Sequence, residues 1–163
     1  MNNLRAKGIL DDCSAELNRI QEIIAQLKPL DDSVPFLTKY ALIRACGAAE
    51  VTFKAIVSDF VTAEASTQIK NFIDARVVQS SANPSHQNIC GLLSAFDETW
   101  AVAFKKRVSD HEHSGKLHSA LTSLNESRND LAHGGSPSIS FGDIVRYFIN
   151  VRIVMEMLDA VVV

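Results

Sequence analysis

Apolar residues recur every three or four positions along most of the chain, which is the period of an amphipathic helix. In the first stretch these residues are Ala6, Leu10, Cys13, Leu17, Ile20, Ile24 and Leu27. Their spacing predicts a long helix over about residues 3–28. Pro29 and Pro35 bracket a predicted linker, Lys28–Phe36, in which Asp31 and Asp32 are typical turn residues.

A second long helix is predicted over about residues 37–63. Its apolar stripe consists of Ile43, Cys46, Phe53, Val57 and Phe60. The position that would complete the stripe holds Glu50. Because a charge on a buried face is costly unless it is paired, Glu50 is expected to have a partner of opposite sign.

The remaining elements are also helical. Short helices are predicted over 66–78, 86–96 and 98–108, the last with Asp97 as its N-cap. A long helix over Lys116–Ala132 is expected to stop at Gly134 and Gly135, and the final long helix begins after Ser140, a second candidate cap. The predicted fold is therefore an all-α bundle of four long helices, with short helices inserted after the second. Residues 1–163 form one domain, in which 1–35 are the N-terminal helix and linker and 36–163 are the core.

The Lys116–Ala132 helix contains the most informative departure from this pattern. Its stripe is formed by Leu117, Leu121, Leu124 and Leu131, and the missing position holds Arg128. Since Glu50 and Arg128 carry opposite charges on apolar faces, they are predicted to meet in the core. Departures of this kind tend to mark functional sites.

His133 follows Arg128 at the predicted end of the helix. On a continuous helix, residues five apart point about 140° apart and lie about 7.5 Å apart along the axis. The two side chains can share a site only if the helix ends near Ala132 and His133 turns back from the cap. Together they supply a phosphate-binding cation and a group that exchanges protons near neutral pH. The alternatives are an arginine that closes the bundle and a histidine that caps the helix.

Composition and charge limit the class of protein. The hydrophobic fraction of 47% and charged fraction of 21% are typical of a globular domain. A net charge of −3 argues against nucleic-acid binding over the whole surface but leaves room for a small basic cleft. Lys105–Arg107 is expected to be a solvated helix face. The apolar runs are too short for a membrane span, and no signal peptide is evident, so a cytoplasmic location is expected.

Cysteines and histidines suggest no metal or cofactor site. The cysteines Cys13, Cys46 and Cys90 are odd in number and widely spaced, which is typical of reduced packing residues. A polar loop over Asp110–Gly115 and the residue His118 bring several histidines together in the sequence. The spacing of His111, His113 and His118 matches no closed zinc pattern. No metal ion and no cofactor are therefore expected.

The segment Arg128-Asn129-Asp130-Leu131-Ala132-His133-Gly134 resembles the Arg-x4-His motif of the HEPN superfamily, all-α domains many of which are metal-independent ribonucleases. Leu42–Glu50 resembles the start of the second helix in the RiboL-PSP-type branch of that superfamily. So do Phe96–Trp100, Ser123–Gly134, and Ile139-Ser140 leading into Tyr147-Phe148. The resemblance covers about residues 36–160.

The resemblance implies a homodimer in which Arg128 and His133 of both copies line one cleft for RNA. One histidine would take the 2′-OH proton while that oxygen attacks phosphorus, and Arg128 would stabilise the developing charge. The implied products are a 2′,3′-cyclic phosphate and a 5′-OH. The implied role is the toxin of a toxin–antitoxin pair, or an abortive-infection effector in phage defence, with an antitoxin protein as a further partner. The alternative is a non-catalytic HEPN dimer that binds RNA, a nucleotide or a protein.

Three more residues are candidates for supporting the motif. Asn129 fits the polar residue that commonly follows the arginine in this family, and is equally a C-terminal turn residue. Glu50 is expected to hold Arg128 in place, or to form a plain core ion pair. Arg44 either joins that network or lies at the edge of the stripe.

Overall fold

The structure is a computed structural model that describes residues 1–28 and 31–163. In these residues the helices are α1 (Leu4–Gln26), α2 (Ser33–Thr62), α3 (Thr67–Ile73), α4 (His86–Phe96), α5 (Glu98–Ser109), α6 (Ser114–Ala132) and α7 (Phe141–Asp159). A π-helical segment, Asp74–Val78, continues α3. The described residues contain no strand, and the predicted all-α class is confirmed.

Four long helices form the bundle, as predicted. α1, α2, α6 and α7 are 23, 30, 19 and 19 residues long. α2 lies at the centre and packs against the other three, while α6 and α7 pack against each other. α4 and α5 pair with one another and close one side of the bundle.

The first helix follows its predicted apolar stripe. Ala6, Leu10, Cys13, Leu17 and Ile20 are all buried. An ion pair between Arg152 and Asp11, at 2.5 Å, joins α7 to the exposed side of α1. The period of three and four residues therefore identified the buried face of α1 correctly.

The predicted stripe of α2 is only partly right. Cys46, Phe53 and Val57 are buried, but Ile43 is 56% exposed and Phe60 is 46% exposed. Because α1, α6 and α7 contact α2 on several sides, its buried surface is wider than one stripe. That surface also includes the small residues Ala41, Ala45, Ala48 and Ala49.

The linker before α2 is shorter than predicted. α2 begins at Ser33, so Pro35 lies in its first turn, where a missing N–H removes no intrahelical hydrogen bond. Pro29 and Leu30 lie outside the described residues, and that part of the predicted linker stays untested.

Both predicted caps are confirmed. The Asp97 side chain accepts a hydrogen bond from the Thr99 N–H at 2.7 Å and caps α5. Ser140 forms a capping box with Asp143 at the start of α7. No helix within residues 1–28 and 31–163 is both long enough and apolar enough to cross a membrane.

Candidate active site at the C-terminal end of α6

Arg128 lies on the last turns of α6, on the side that faces α2. Leu117, Leu121 and Leu124 of the predicted stripe are buried, while Arg128 and Leu131 are partly buried. The guanidinium Nη1 donates a hydrogen bond to Asn129 Oδ1 at 3.2 Å. Among the described residues, no carboxylate lies within ion-pair distance of Arg128. The departure from the apolar pattern is therefore real, but the arginine sits at the edge of the core rather than inside it.

The end of α6 is built by two glycines. α6 stops at Ala132, and His133 is its C-cap, with φ −91° and ψ 14°. The Gly134 N–H donates to the Leu131 carbonyl at 3.1 Å and the Gly135 N–H to the Asp130 carbonyl at 2.9 Å, which is a Schellman motif. Gly134 has φ +83°, a conformation that side chains disfavour. The predicted helix end is thus confirmed.

Gly135 lies close to the side chain of Asp130. A Cβ at this position would lie 2.0 Å from Asp130 Oδ1, so the Asp130 carboxylate fills the space of the missing side chain. The chain therefore turns tightly around the end of α6, immediately after the histidine.

His133 is exposed at this turn. Its backbone N–H donates to the Asn129 carbonyl at 3.0 Å, while its imidazole makes no hydrogen bond to any described residue. No direct hydrogen bond joins Arg128 to His133 in the described chain. The two motif residues therefore lie at one end of α6, but they are not hydrogen-bonded to each other within a single copy.

The predicted ion pair between Glu50 and Arg128 is wrong. Glu50 Oε1 instead accepts a hydrogen bond from Lys54 Nζ at 2.6 Å, one helical turn along α2. Lys54 is only 6% exposed, whereas Arg128 is partly exposed. An unpaired charge is more costly when it is more deeply buried, so the Lys54 ammonium gains more from pairing with the carboxylate than Arg128 would. Glu50 is also well placed for this pair, because an acid four residues before a base lies on the same side of a helix.

Arg44 does not join the motif either. Its Nε donates to Glu16 Oε2 at 2.5 Å, and Tyr40 OH donates to the other oxygen of Glu16. These hydrogen bonds hold the pKa of Glu16 below its ordinary value. Arg44 therefore links α2 to α1, at the edge of the predicted stripe and away from Arg128.

Asn129 connects the motif to the segment between the π-helical turn and α4. Its Oδ1 accepts from Arg128 Nη1 and from Asn83 Nδ2, the latter at 3.4 Å. The Asn83 carbonyl in turn accepts from Asn88 Nδ2 at 2.9 Å. One turn before the motif, the Nδ2 of Asn125 is buried without a hydrogen-bond partner among the described residues.

Cys46 lies beside the motif on α2. Its Sγ donates to the Leu124 carbonyl at 3.4 Å. Burial raises the pKa of the Cys46 thiol to about 12, and the nearby positive charge of Arg128 opposes this increase. The thiol is therefore a protonated packing group at neutral pH.

The histidines around residue 110 divide into two groups. His111 and His113 form an edge-to-face pair 5.9 Å apart on the segment between α5 and α6. His118 lies within α6, with its ring 4.4 Å from His86, which stacks on Phe104. Burial and the neighbouring His118 lower the pKa of His86. No group of three or more metal-ligating side chains is assembled in the part of the chain that the structure describes.

The geometry defines an all-α bundle whose central motif is an Arg-x4-His sequence closing a long helix. The chain matches the family model described as RiboL-PSP-HEPN over residues 11–163. It therefore belongs to the RiboL-PSP-HEPN family. No curated protein matches the chain, and no solved structure matches it.

Proposed function

We propose that this protein is a metal-independent endoribonuclease whose active site combines Arg128 and His133 from two copies of the chain. The observation that carries the proposal is the set of contacts around Arg128. Its one side-chain hydrogen bond within the described residues goes to the neutral amide of Asn129. An arginine retained only to close a bundle is expected to pair with a carboxylate. A guanidinium with most N–H groups free suits two oxygens of a phosphate.

The proposed chemistry uses the 2′-OH of the RNA itself. His133 of one copy removes the 2′-OH proton as the 2′-oxygen bonds to phosphorus, and the phosphorus–O5′ bond breaks. The imidazolium of the other His133 protonates the departing 5′-oxygen. Arg128 stabilises the charge on the phosphorane, and loss of such a donor typically costs about 10²–10³ in rate. The products are a 2′,3′-cyclic phosphate and a 5′-OH, and no metal takes part.

An exposed apolar face of α2 supports the two-copy arrangement. Phe36, Tyr40, Ile43 and Val51 are 72%, 47%, 56% and 46% exposed. With Gly47 they fall within about 80° of arc on an ideal helix. An added Cβ at Gly47 would meet no atom within 4 Å, so the middle of this face is open to close approach. The face borders Glu50 and Cys46, on the side of α2 that leads to Arg128.

This face is tested by a bulky polar substitution at its centre. Gly47→Gln is expected to shift the protein from dimer to monomer in sedimentation velocity, and an added Cβ at this position meets no atom within 4 Å. Gly8→Gln is the matched control, because Gly8 is also helical and also has no atom within 4 Å of an added Cβ. Dimerisation unchanged by Gly47→Gln would exclude this face as the contact between copies.

Activity is tested by incubating total RNA in EDTA with wild type, His133→Ala and His111→Ala, followed by mapping of the product ends. We expect wild type and His111→Ala to leave cyclic phosphate ends and His133→Ala to cut at least about a hundredfold more slowly. His111→Ala controls for the loss of an exposed histidine outside the motif. Equal cutting by all three proteins, or cutting that EDTA abolishes, would contradict the proposal.

The second candidate is a non-catalytic module that binds RNA, a nucleotide or a protein. The net charge of −3 and the single tight basic cluster, Lys105–Arg107, favour it over a nuclease, because they supply little positive charge to hold an RNA substrate. In that case His133→Ala binds its partner as wild type does, and neither protein cuts RNA.

We also propose a toxin role, which rests on the family resemblance and on the proposed catalysis. Induced wild type should arrest growth of a bacterial culture, and equally expressed His133→Ala should not. Arrest by both proteins would separate toxicity from cleavage.

A further inference from the structure

A side-chain amide outside the motif reaches the candidate active site from another part of the fold. Asn83, in the segment before α4, donates from Nδ2 to Asn129 Oδ1 at 3.4 Å. The same oxygen accepts from Arg128 Nη1 at 3.2 Å. The backbone carbonyl of Asn129 accepts from the His133 N–H at 3.0 Å. Asn129 is therefore hydrogen-bonded to both motif residues, and Asn83 is bonded to the side chain through which it holds the arginine.

Asn83 is itself held in place by the start of α4. Its carbonyl accepts from the Ser85 N–H at 2.8 Å and from Asn88 Nδ2 at 2.9 Å. Pro84 follows it and is buried, and a proline restricts both its own backbone and that of the residue before it. The Asn83 side chain therefore extends from a constrained backbone toward Asn129.

Two donors that face one oxygen fix the orientation of the Asn129 amide. An amide oxygen accepts two hydrogen bonds, whereas an amide nitrogen only donates. Rotation of the Asn129 amide by half a turn would place its Nδ2 against the N–H groups of both Arg128 and Asn83. With Asn83 present the rotated state loses two hydrogen bonds, and without Asn83 it loses only one. Asn83 therefore favours the orientation in which Asn129 holds the guanidinium.

The contacts that reach the guanidinium are uncharged. Asn83 and Asn129 are both amides, and no carboxylate among the described residues lies within ion-pair distance of Arg128. A carboxylate in their place would also orient the arginine, but it would compete with a phosphate for the positive charge. Two neutral amides orient the guanidinium and leave its charge available.

We infer that Asn83 is a positioning residue for Arg128 and that it acts through Asn129. The inference rests on the proposed function, because the proposed reaction requires the guanidinium to face the phosphorane. The separation of 3.4 Å is longer than the usual value of about 2.9 Å, and hydrogen bonds around an active site often tighten when substrate binds. Loss of one neutral hydrogen bond of this kind lowers a rate by about two- to tenfold.

The kinetic test uses a synthetic RNA that contains a site cut by wild type. Asn83→Ala should lower kcat at least about threefold and leave KM within about twofold, because Arg128 acts on charge that develops in the transition state. Asn83→Asp is similar in size and should lower kcat further, since it lacks the donor and its charge competes for Arg128. Asn71→Ala, which truncates an exposed asparagine of α3, is the matched control and should keep the wild-type kcat.

A double variant separates positioning from a general structural role. In the Asn129→Ala background, Asn83→Ala should change kcat by less than about twofold, because the contact through which it acts is already lost. A structural role independent of Asn129 would lower kcat equally in both backgrounds. Equal losses in the two backgrounds, or an effect of Asn83→Ala on otherwise wild-type protein below about twofold, would overturn the inference.

A second measurement does not require activity. NMR relaxation of the Arg128 Nε–Hε group reports its order parameter on the picosecond-to-nanosecond timescale. Asn83→Ala should lower this order parameter by at least about 0.1, and Asn71→Ala should leave it unchanged. If wild type does not cut RNA, the proposed function fails, and the order parameter then decides this inference. A lower value in Asn83→Ala would support the positioning of Arg128, and an unchanged value would overturn it.

Discussion

The ion pair between Glu50 and Lys54 gives the most quantitative prediction for stability. The Lys54 side chain is 8% exposed and that of Glu50 is 24% exposed, with 2.6 Å between Nζ and Oε1. Breaking a fully buried pair costs about 3–5 kcal/mol. Because water reaches Glu50 and glutamine can still accept one hydrogen bond, Glu50→Gln should lower the free energy of unfolding by about 1–3 kcal/mol. The melting temperature should fall by about 2–12 °C.

Urea unfolding followed by far-UV circular dichroism measures this effect. Glu50→Gln, Lys54→Met and the double variant form a mutant cycle, and the double variant should be more stable than the sum of the two losses by at least about 1 kcal/mol. Glu16→Gln is the control, since its partner Arg44 is more exposed and the expected loss is below about 1 kcal/mol. A Glu50→Gln loss no larger than that of Glu16→Gln, with additive effects in the cycle, would refute the reasoning.

Three further predictions concern the helix end, the thiols and a cap. Gly134→Ala should lower the free energy of unfolding by about 1–2 kcal/mol in urea titration, because φ at this position is +83°. The control Gly8→Ala, inside α1, should raise the free energy of unfolding by up to about 1 kcal/mol. Similar effects of the two substitutions would contradict the left-handed turn. Burial raises the pKa of Cys46 to about 12 and of Cys13 to about 11. Iodoacetamide at mildly alkaline pH should therefore label these thiols only after unfolding, as measured by mass spectrometry. Rapid labelling of the native protein would contradict their burial. Hydrogen bonds from the first turn of α5 lower the pKa of Asp97, so this carboxylate stabilises the fold above its unfolded pKa and the contribution is lost as pH falls through the folded value. Thermal melts between neutral pH and about pH 3 should therefore show a smaller acid loss for Asp97→Ser, which caps without titrating, and identical losses would count against the cap.

The features predicted best from the sequence depend on neighbouring residues in the chain. The buried face of α1 follows directly from its apolar spacing. The end of α6 follows from Gly134, since a glycine just beyond an apolar stripe is the usual way to finish a helix. The Asp97 and Ser140 caps likewise depend only on residues close to them in the sequence.

The errors concern contacts between helices. The apolar pattern of α2 predicts one buried stripe that includes Ile43 and Phe60. In the structure α1, α6 and α7 pack against α2 and bury a wider surface, which leaves both residues exposed. The predicted partner of Glu50, Arg128, lies on another helix, whereas the observed partner, Lys54, lies four residues along the same helix. An acid and a base four residues apart on one helix commonly pair, so this ion pair is predictable from the sequence.

The contact between Asn83 and Asn129 could not be predicted. Asn83 lies in an irregular segment before α4, and its position depends on how the π-helical turn and α4 pack against the bundle. No periodicity in the sequence encodes that placement. Likewise, the Nδ2 of Asn125 has no hydrogen-bond partner within residues 1–28 and 31–163, which follows from burial that only the packed structure reveals.

The most direct test of the central claim is the activity of a mixed dimer. Wild-type and His133→Ala chains with different tags are co-expressed, and the heterodimer is isolated by both tags and assayed on RNA in EDTA. Its cleft would retain one histidine and therefore lack either the base or the acid, so the account predicts cutting at least about tenfold slower than by wild type carrying the same two tags. A site confined to one chain would keep one complete pair in the wild-type copy. A heterodimer that cuts at about half the wild-type rate would contradict the composite site.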